Sequence, residues 1–202
     1  MRTIFLWMAR NRWLRDHVPT WWFAKRAVRR FMPGEQPGDA LDAAAAFAPS
    51  GINALVTHLG ENLEDISEAD AVAAHYLGLL DEINARGAHV EISLKLTQLG
   101  LDLDPEVARR HLATLASRAR ELDLGRVWID MEGSDYTEVT VALYESLKPD
   151  HSNLGICLQA YLRRTQTDIA RLAPLSPAVR VVKGAYDEPA AIAYRSRQEV
   201  DA

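Results

Sequence analysis

Five short segments of alternating apolar and polar residues recur along this 202-residue chain, each followed by a helical pattern. They cover residues 52–59, 90–97, 126–132, 154–161 and 179–186, and begin about 25 to 40 residues apart. Strands that alternate with helices at this interval predict repeated βαβ units and a parallel sheet. The helices between them carry start and stop signals. Ser67 with Asp70 three residues on reads as a capping box, and the helix it opens runs to Arg86 before Gly87. Asp104 caps a helix with Pro105 at its first position, and Gly125 follows its end. Further helices are predicted over residues 136–147, from Thr165 and Asp168 onward, and from near Pro189.

A parallel sheet of this kind is either a doubly wound open sheet or a (β/α)8 TIM-type barrel. Strands covered on both faces by helices read as continuous apolar runs. These strands alternate instead. Val90, Ile92, Leu94 and Leu96 share one face, with Glu91, Ser93, Lys95 and Thr97 on the other. Val127, Ile129 and Met131 oppose Trp128, Asp130 and Glu132, and Ile156, Leu158 and Ala160 oppose Cys157, Gln159 and Tyr161. An apolar face toward outer helices and a polar face toward an interior fit a barrel. No strand–GxGxxG–helix unit and no GxxxxGK[ST] loop supports an open nucleotide-binding sheet. The fold class expected is therefore α/β, an incomplete (β/α)8 barrel of about five βα units with N-terminal helices. A full barrel takes about 250 residues, so the first and fifth strands are expected to be open edges.

Charge divides the chain. Residues 1–30 hold eight Lys or Arg against one acid, Asp16, while the remainder holds 15 basic and 27 acidic residues. The same arm carries Trp7, Trp13, Trp21 and Trp22, four of the five tryptophans. Basic residues interleaved with aromatics suit either helices that pack their tryptophans on the main domain or a contact with an anionic membrane surface. Nucleic acid is disfavoured by the acidic body. A basic helical arm and lead-in over residues 1–48 and a barrel over 49–202 are the expected domains. Pro33, Gly34, Pro37 and Gly38 break the chain between helices, and a short alanine-rich helix is predicted over residues 40–47. Cys157 is the sole cysteine, so no internal disulfide forms and a cytoplasmic setting is the default. No apolar run of 18 residues is present to span a membrane as a helix.

In barrel enzymes the site lies at the C-terminal ends of the strands. The polar residues there are Lys95, Asp130, Glu132, Gln159, Arg180 and Lys183. Parity sets Lys95 and Asp130 on the same interior, where a cation and a carboxylate offset each other's desolvation. Arg180, Val182 and Gly184 share a face, and Gly184 lets backbone approach a ligand closely. Gln159 offers a donor and an acceptor to the polar edge of a heteroaromatic ring. The six histidines have no metal-ligand spacing, and no metal site is predicted.

Taken together, the segments "SLKLTQLGLDL", "WIDMEGS", "LQAYLRRTQTDI" and "RVVKGAYDEP" resemble, in order and strand position, the proline dehydrogenase family of FAD-dependent barrel enzymes. The lead-in "RRFMPGE" is similar as well, and the resemblance covers about residues 29–190. It implies oxidation of L-proline to Δ1-pyrroline-5-carboxylate, with a hydride passed to FAD and electrons to a membrane quinone. By position, Lys95 would pair with the proline carboxylate, and Asp130 would orient that lysine and neighbouring arginines. Met131 would meet the flavin through its backbone, Gln159 would bond the flavin ring, and Arg180 would sit at its N5 edge. Val182, Lys183, Gly184 and Ala185 would complete the cofactor contacts.

One departure is large. The family carries a proline-clamping arginine pair on its last helix, and no equivalent stands among these 202 residues. The chain by itself is therefore expected to bind FAD weakly and to turn over proline poorly or not at all. Two other readings stay open at this level. One is a lyase with Lys95 or Lys183 as a Schiff-base nucleophile. The other is an inactive or split barrel that associates with a membrane or partner through residues 1–30.

Overall fold

The computed structural model describes residues 33, 34, 36–60 and 63–201. The basic, tryptophan-rich arm of residues 1–30, with the helices expected there, lies outside the described residues. Two compact units divide the chain, one ending at Gly51 and one running from Ile52 to Ala202.

Within the first unit, helix α1 spans Pro37–Phe47 and a 3-10 turn follows at Ala48–Ser50. The helix starts earlier than the predicted residue 40. Pro37 occupies its first position, where no N–H is needed and the ring fixes a helical φ. The Gln36 N–H donates to Asp39 Oδ2 at 3.2 Å and closes the entry.

The second unit alternates strictly. Its elements are β1 (Ala54–Thr57), α2 (Ile66–Arg86), β2 (Val90–Leu94), α3 (Pro105–Glu121), β3 (Val127–Ile129), α4 (Ser134–Leu147), β4 (Leu154–Gln159), α5 (Thr165–Leu172), β5 (Ala178–Val182) and α6 (Arg197–Asp201). All four strand pairings are parallel, in the order β1-β2-β3-β4-β5. That order decides the fold class. A doubly wound sheet reverses strand order so that helices cover both faces. Here each strand neighbours the next in sequence, so right-handed crossovers put every helix on one face. The opposite face becomes the interior of a curled half-barrel, as the alternation of the strands predicts.

The strands are shorter than predicted because their tails serve as loops. After Leu94 the chain turns into a 3-10 helix at Thr97–Leu99, so two-residue parity fails at Thr97. β5 ends at Val182, and Gly184 follows with φ +114°. Helix α2 is capped by Asp65, whose carboxylate accepts the Glu68 N–H at 3.2 Å. The expected cap, Ser67, lies inside the first turn and donates its hydroxyl to Asp65. The predicted stop at Gly87 and the Asp104 cap with Pro105 both occur. No helix begins at Pro189. Residues 190–192 form a turn, Ala193 pairs antiparallel with Leu162, and α6 starts at Arg197.

The core lies between the outer sheet face and the helices. Ile92, Leu94, Ile129 and Ile156 point into it from the strands, and Tyr76, Leu112, Leu115 and Tyr144 meet them from the helices, all essentially excluded from solvent. Full burial of each such aliphatic side chain stabilises the fold by about 1.5–3 kcal/mol.

Candidate active site at the C-terminal ends of the strands

Register builds the site level by level. Leu94 pairs with Ile129, Ile129 with Ile156, and Cys157 with Arg180. One residue further along β2 and β3, Lys95, Asp130, Cys157 and Arg180 therefore stand on one interior level. The level below holds Ser93, Trp128 and Gly155. A Cβ on Gly155 would lie 2.5 Å from the Trp128 ring, so only glycine leaves room for the indole to cross toward β4. The Trp128 indole N–H donates to Glu91 Oε2 at 2.6 Å, and the Arg180 guanidinium lies 5.8 Å from the Trp128 ring centre. Trp128 is thus the floor of the site.

At the middle of the level, Arg180 Nη2 forms an ion pair with Asp130 Oδ1. Ser93 Oγ donates to the same oxygen at 2.5 Å. The Asp130 main chain is fixed by its N–H, which donates to the Leu94 carbonyl at 2.8 Å. Lys95 is half-buried beside this group, and its N–H donates to Gln98 Oε1 at 3.3 Å. Its charge acts on Glu132. That carboxylate is pushed above the ordinary range by burial, an effect opposed by the Thr97 hydroxyl, the Thr97 N–H and Lys95. The two Thr97 bonds measure 2.7 Å and 3.2 Å.

Gln159 is 2% exposed, and its Nε2 donates to the Glu132 carbonyl at 2.6 Å. The partner oxygen, Gln159 Oε1, is buried and accepts nothing, and Arg180 Nε is likewise buried without an acceptor. Buried polar atoms without partners are uncommon in folded proteins. An acceptor on β4 and a donor on adjacent β5 are therefore both unspent near the strand ends.

The remaining predicted contacts divide. Met131 is buried, with its side chain at the outer-face parity of Ile129, so only its backbone is available inward. Val182 pairs with Gln159, and its carbonyl accepts the Ala160 N–H at 2.7 Å. The Lys183 carbonyl accepts the Tyr161 N–H at 3.0 Å, and its side chain is exposed. The close approach at Gly184 is to the Tyr161 ring, which a Cβ would strike. Ala185 is exposed. Glu188 is buried, and its carboxylate accepts the Ser134 N–H at 2.8 Å and the Ser134 hydroxyl at 2.6 Å. That clasp ties the segment after β5 to the start of α4.

Sequence reasoning placed Ser93 and Trp128 on the interior face without giving them a part in the site. Their interior parity was the available signal, but a lone serine or tryptophan carries little chemical specificity. Above β1, the His58 and His75 rings meet at a tilt of 53° with centres 4.6 Å apart, and burial followed by the neighbouring His75 lowers the His58 pKa. Among the described residues no group of three His, Cys, Asp or Glu is placed to hold a metal ion, and no helix is long and apolar enough to cross a membrane.

Comparison with known proteins gives a consistent result. The family model described as proline dehydrogenase matches residues 40–195. Proline dehydrogenase 1 of Bacillus subtilis is 34% identical over 201 residues, covering 100% of this chain and 66% of that protein. Proline dehydrogenase of Deinococcus radiodurans is 30% identical over 179 residues, covering 86% of this chain and 57% of that protein. The chain thus spans less than two thirds of the length of these relatives. Among solved structures, proline utilization A from Bdellovibrio bacteriovorus, inactivated by N-propargylglycine, superposes with a TM-score of 0.70 at 22% identity. It covers 81% of this chain and 20% of that one. Proline utilization A from Corynebacterium freiburgense gives 0.61 at 24% identity, covering 83% and 20%. At these identities the two structures establish the barrel-type fold.

Proposed function

The chain belongs to the proline dehydrogenase family, and from that premise we propose that it carries the cofactor side of a site oxidising L-proline to Δ1-pyrroline-5-carboxylate. One observation carries this reading. Gln159 Oε1 and Arg180 Nε, on neighbouring strands, are both buried and unpartnered at the strand ends.

FAD is the cofactor proposed, and the chemistry it supplies when bound is acceptance of a hydride from proline. Gln159 would accept from an N–H of its ring edge, and Arg180 would donate toward its N5 edge. Backbone groups of Met131, Val182, Lys183, Gly184 and Ala185 would line the ring, with the Val182 and Lys183 carbonyls already committed to Ala160 and Tyr161. Lys95 grips the proline carboxylate as a fixed cation. Asp130 holds Arg180 by their ion pair, so the guanidinium meets its ligand already oriented. Trp128 closes the floor of the site beneath the paired charges.

A quinone is the proposed electron acceptor, reached by peripheral contact of residues 1–30 with the inner face of the membrane of a cytoplasmic protein. The Schiff-base alternative is disfavoured at Lys183, whose amine stands exposed rather than enclosed in an apolar pocket.

The test is a titration of the purified protein with FAD, followed by L-proline and an artificial electron-accepting dye. Weak flavin binding, and slow dye reduction that needs both FAD and proline, are expected of this chain by itself. Absence of both flavin binding and a proline response would overturn the reading. Borohydride trapping of a carbonyl substrate on a lysine would replace it with the lyase.

A further inference from the structure

The geometry points to Ser93 as the positioning residue that fixes how Arg180 is offered to its ligand. This rests on the reading above, in which Arg180 faces a flavin. Three strands converge on one oxygen. Ser93 Oγ donates to Asp130 Oδ1 at 2.5 Å, Arg180 Nη2 pairs with that same Oδ1, and Nη2 lies 3.5 Å from Ser93 Oγ. A lone carboxylate and guanidinium meet in several geometries, end-on or side-on, using either oxygen. A second donor on Oδ1 selects one of them.

Ser93 is itself held from behind. Its carbonyl accepts the Tyr76 hydroxyl at 2.8 Å, and the Tyr76 oxygen accepts the His58 N–H at 3.0 Å. Tyr76 is 0% exposed and Ser93 is 2% exposed. The pair it orients is more open to solvent, since the Arg180 and Asp130 side chains keep 32% and 22% exposure. A buried hydroxyl thus anchors two partly exposed charges. The consequence falls on Arg180 Nε. With Nη2 tied down, Nε stays buried without an acceptor, an arrangement that costs stability until a ligand atom accepts the bond. Ser93 holds that donor in waiting.

A purely space-filling Ser93 would need only a small side chain, so substitutions that separate volume from hydroxyl decide the matter. Ser93→Ala always fits. Ser93→Thr keeps the oxygen, and Ser93→Val has the shape of Thr without it. In protein labelled with 15N-arginine and free of flavin, exchange of the Arg180 guanidinium protons is followed, the signal being identified by its loss in Arg180→Lys. Ser93→Ala is expected to speed that exchange about tenfold, the scale of a lost hydrogen bond to a charged group. Ser93→Thr restores it and Ser93→Val does not.

In the FAD-loaded protein, Ser93→Ala is expected to lower flavin affinity and kcat by about tenfold or more, with the KM for proline changed far less, because Lys95 grips the carboxylate. Unchanged Arg180 exchange in Ser93→Ala, or equal behaviour of the Thr and Val variants, overturns the proposal. If the Thr and Val variants do not fold, the Ala result decides alone. Failure of the parent protein to bind FAD overturns the function, not this inference, because the exchange measurement is made without flavin.

Discussion

β4 and β5 are neighbours paired over five register positions, yet they are held in place by different means. Every residue of β4 is buried, whereas β5 is half-buried at its start and exposed at Val181 and Val182. Gln159, on β4, is positioned by packing and by a bond to the Glu132 carbonyl. Arg180, on β5, owes its position to side-chain partners across the interior, Asp130 and Ser93. The two unspent polar atoms of the candidate site thus depend on different forces. One is fixed by packing together with a main-chain hydrogen bond, and the other by a network of side chains.

That contrast breaks most sharply in the core. Ile156→Ala on β4 is expected to cost about 2–5 kcal/mol, read from the urea midpoint, because it opens a cavity that its buried neighbours fill poorly. Next in size is the polar arm. Asp130→Asn removes the countercharge of Arg180, and proline-dependent dye reduction is expected to fall on the order of 10²-fold with a smaller change in melting temperature. A β4-like loss of stability with retained turnover would mean that β5 too is held by packing.

A third measurement uses pH. Burial raises the Glu132 pKa above its ordinary 4.5, so the folded protein holds a proton that the unfolded chain releases. Stability from this group is present below the unfolded pKa and lost as pH rises through the raised folded value. Glu132→Gln should flatten the fall in urea midpoint across that window by at most one proton's worth, about 1.4 kcal/mol per pH unit. The smallest effect is at the edge strand. Val181→Ala, at a position 59% exposed, is expected to stay within about 0.5 kcal/mol. A cost above about 2 kcal/mol would show that the β5 edge is covered in solution.

Much of the fold was legible because strand parity and capping are local. Val90, Ile92 and Leu94 announce an outer face by alternation, and Asp104 with Pro105 announces the start of α3. Parity misled only where the chain left the strand, at Thr97 and Gly184. Ser67 was mistaken for a cap because Asp65, two residues earlier, offers the same acceptor chemistry. Lys148 was invisible to a search of strand ends. It lies buried after α4, donating to the Ser152 and Leu154 carbonyls at 2.6 Å and 2.8 Å, with its pKa lowered by burial.

Within the site, Lys95, Asp130, Gln159 and Arg180 could be nominated from residue type and strand position. Which of them touch could not. Parity suggested Lys95 as the companion of Asp130, but the contact of Arg180 with Asp130 depends on the register of β3, β4 and β5, set by packing between residues 50 positions apart. Local pattern therefore determined the alternating strands, their single apolar face and the polar ends that mark a site, since each depends on neighbours in sequence. Tertiary structure alone decided that Ser93 and Arg180 share one oxygen of Asp130, and that Gln159 Oε1 and Arg180 Nε are left unspent. Hydrogen bonds act over about 3 Å, and no sequence spacing specifies which distant side chains come that close.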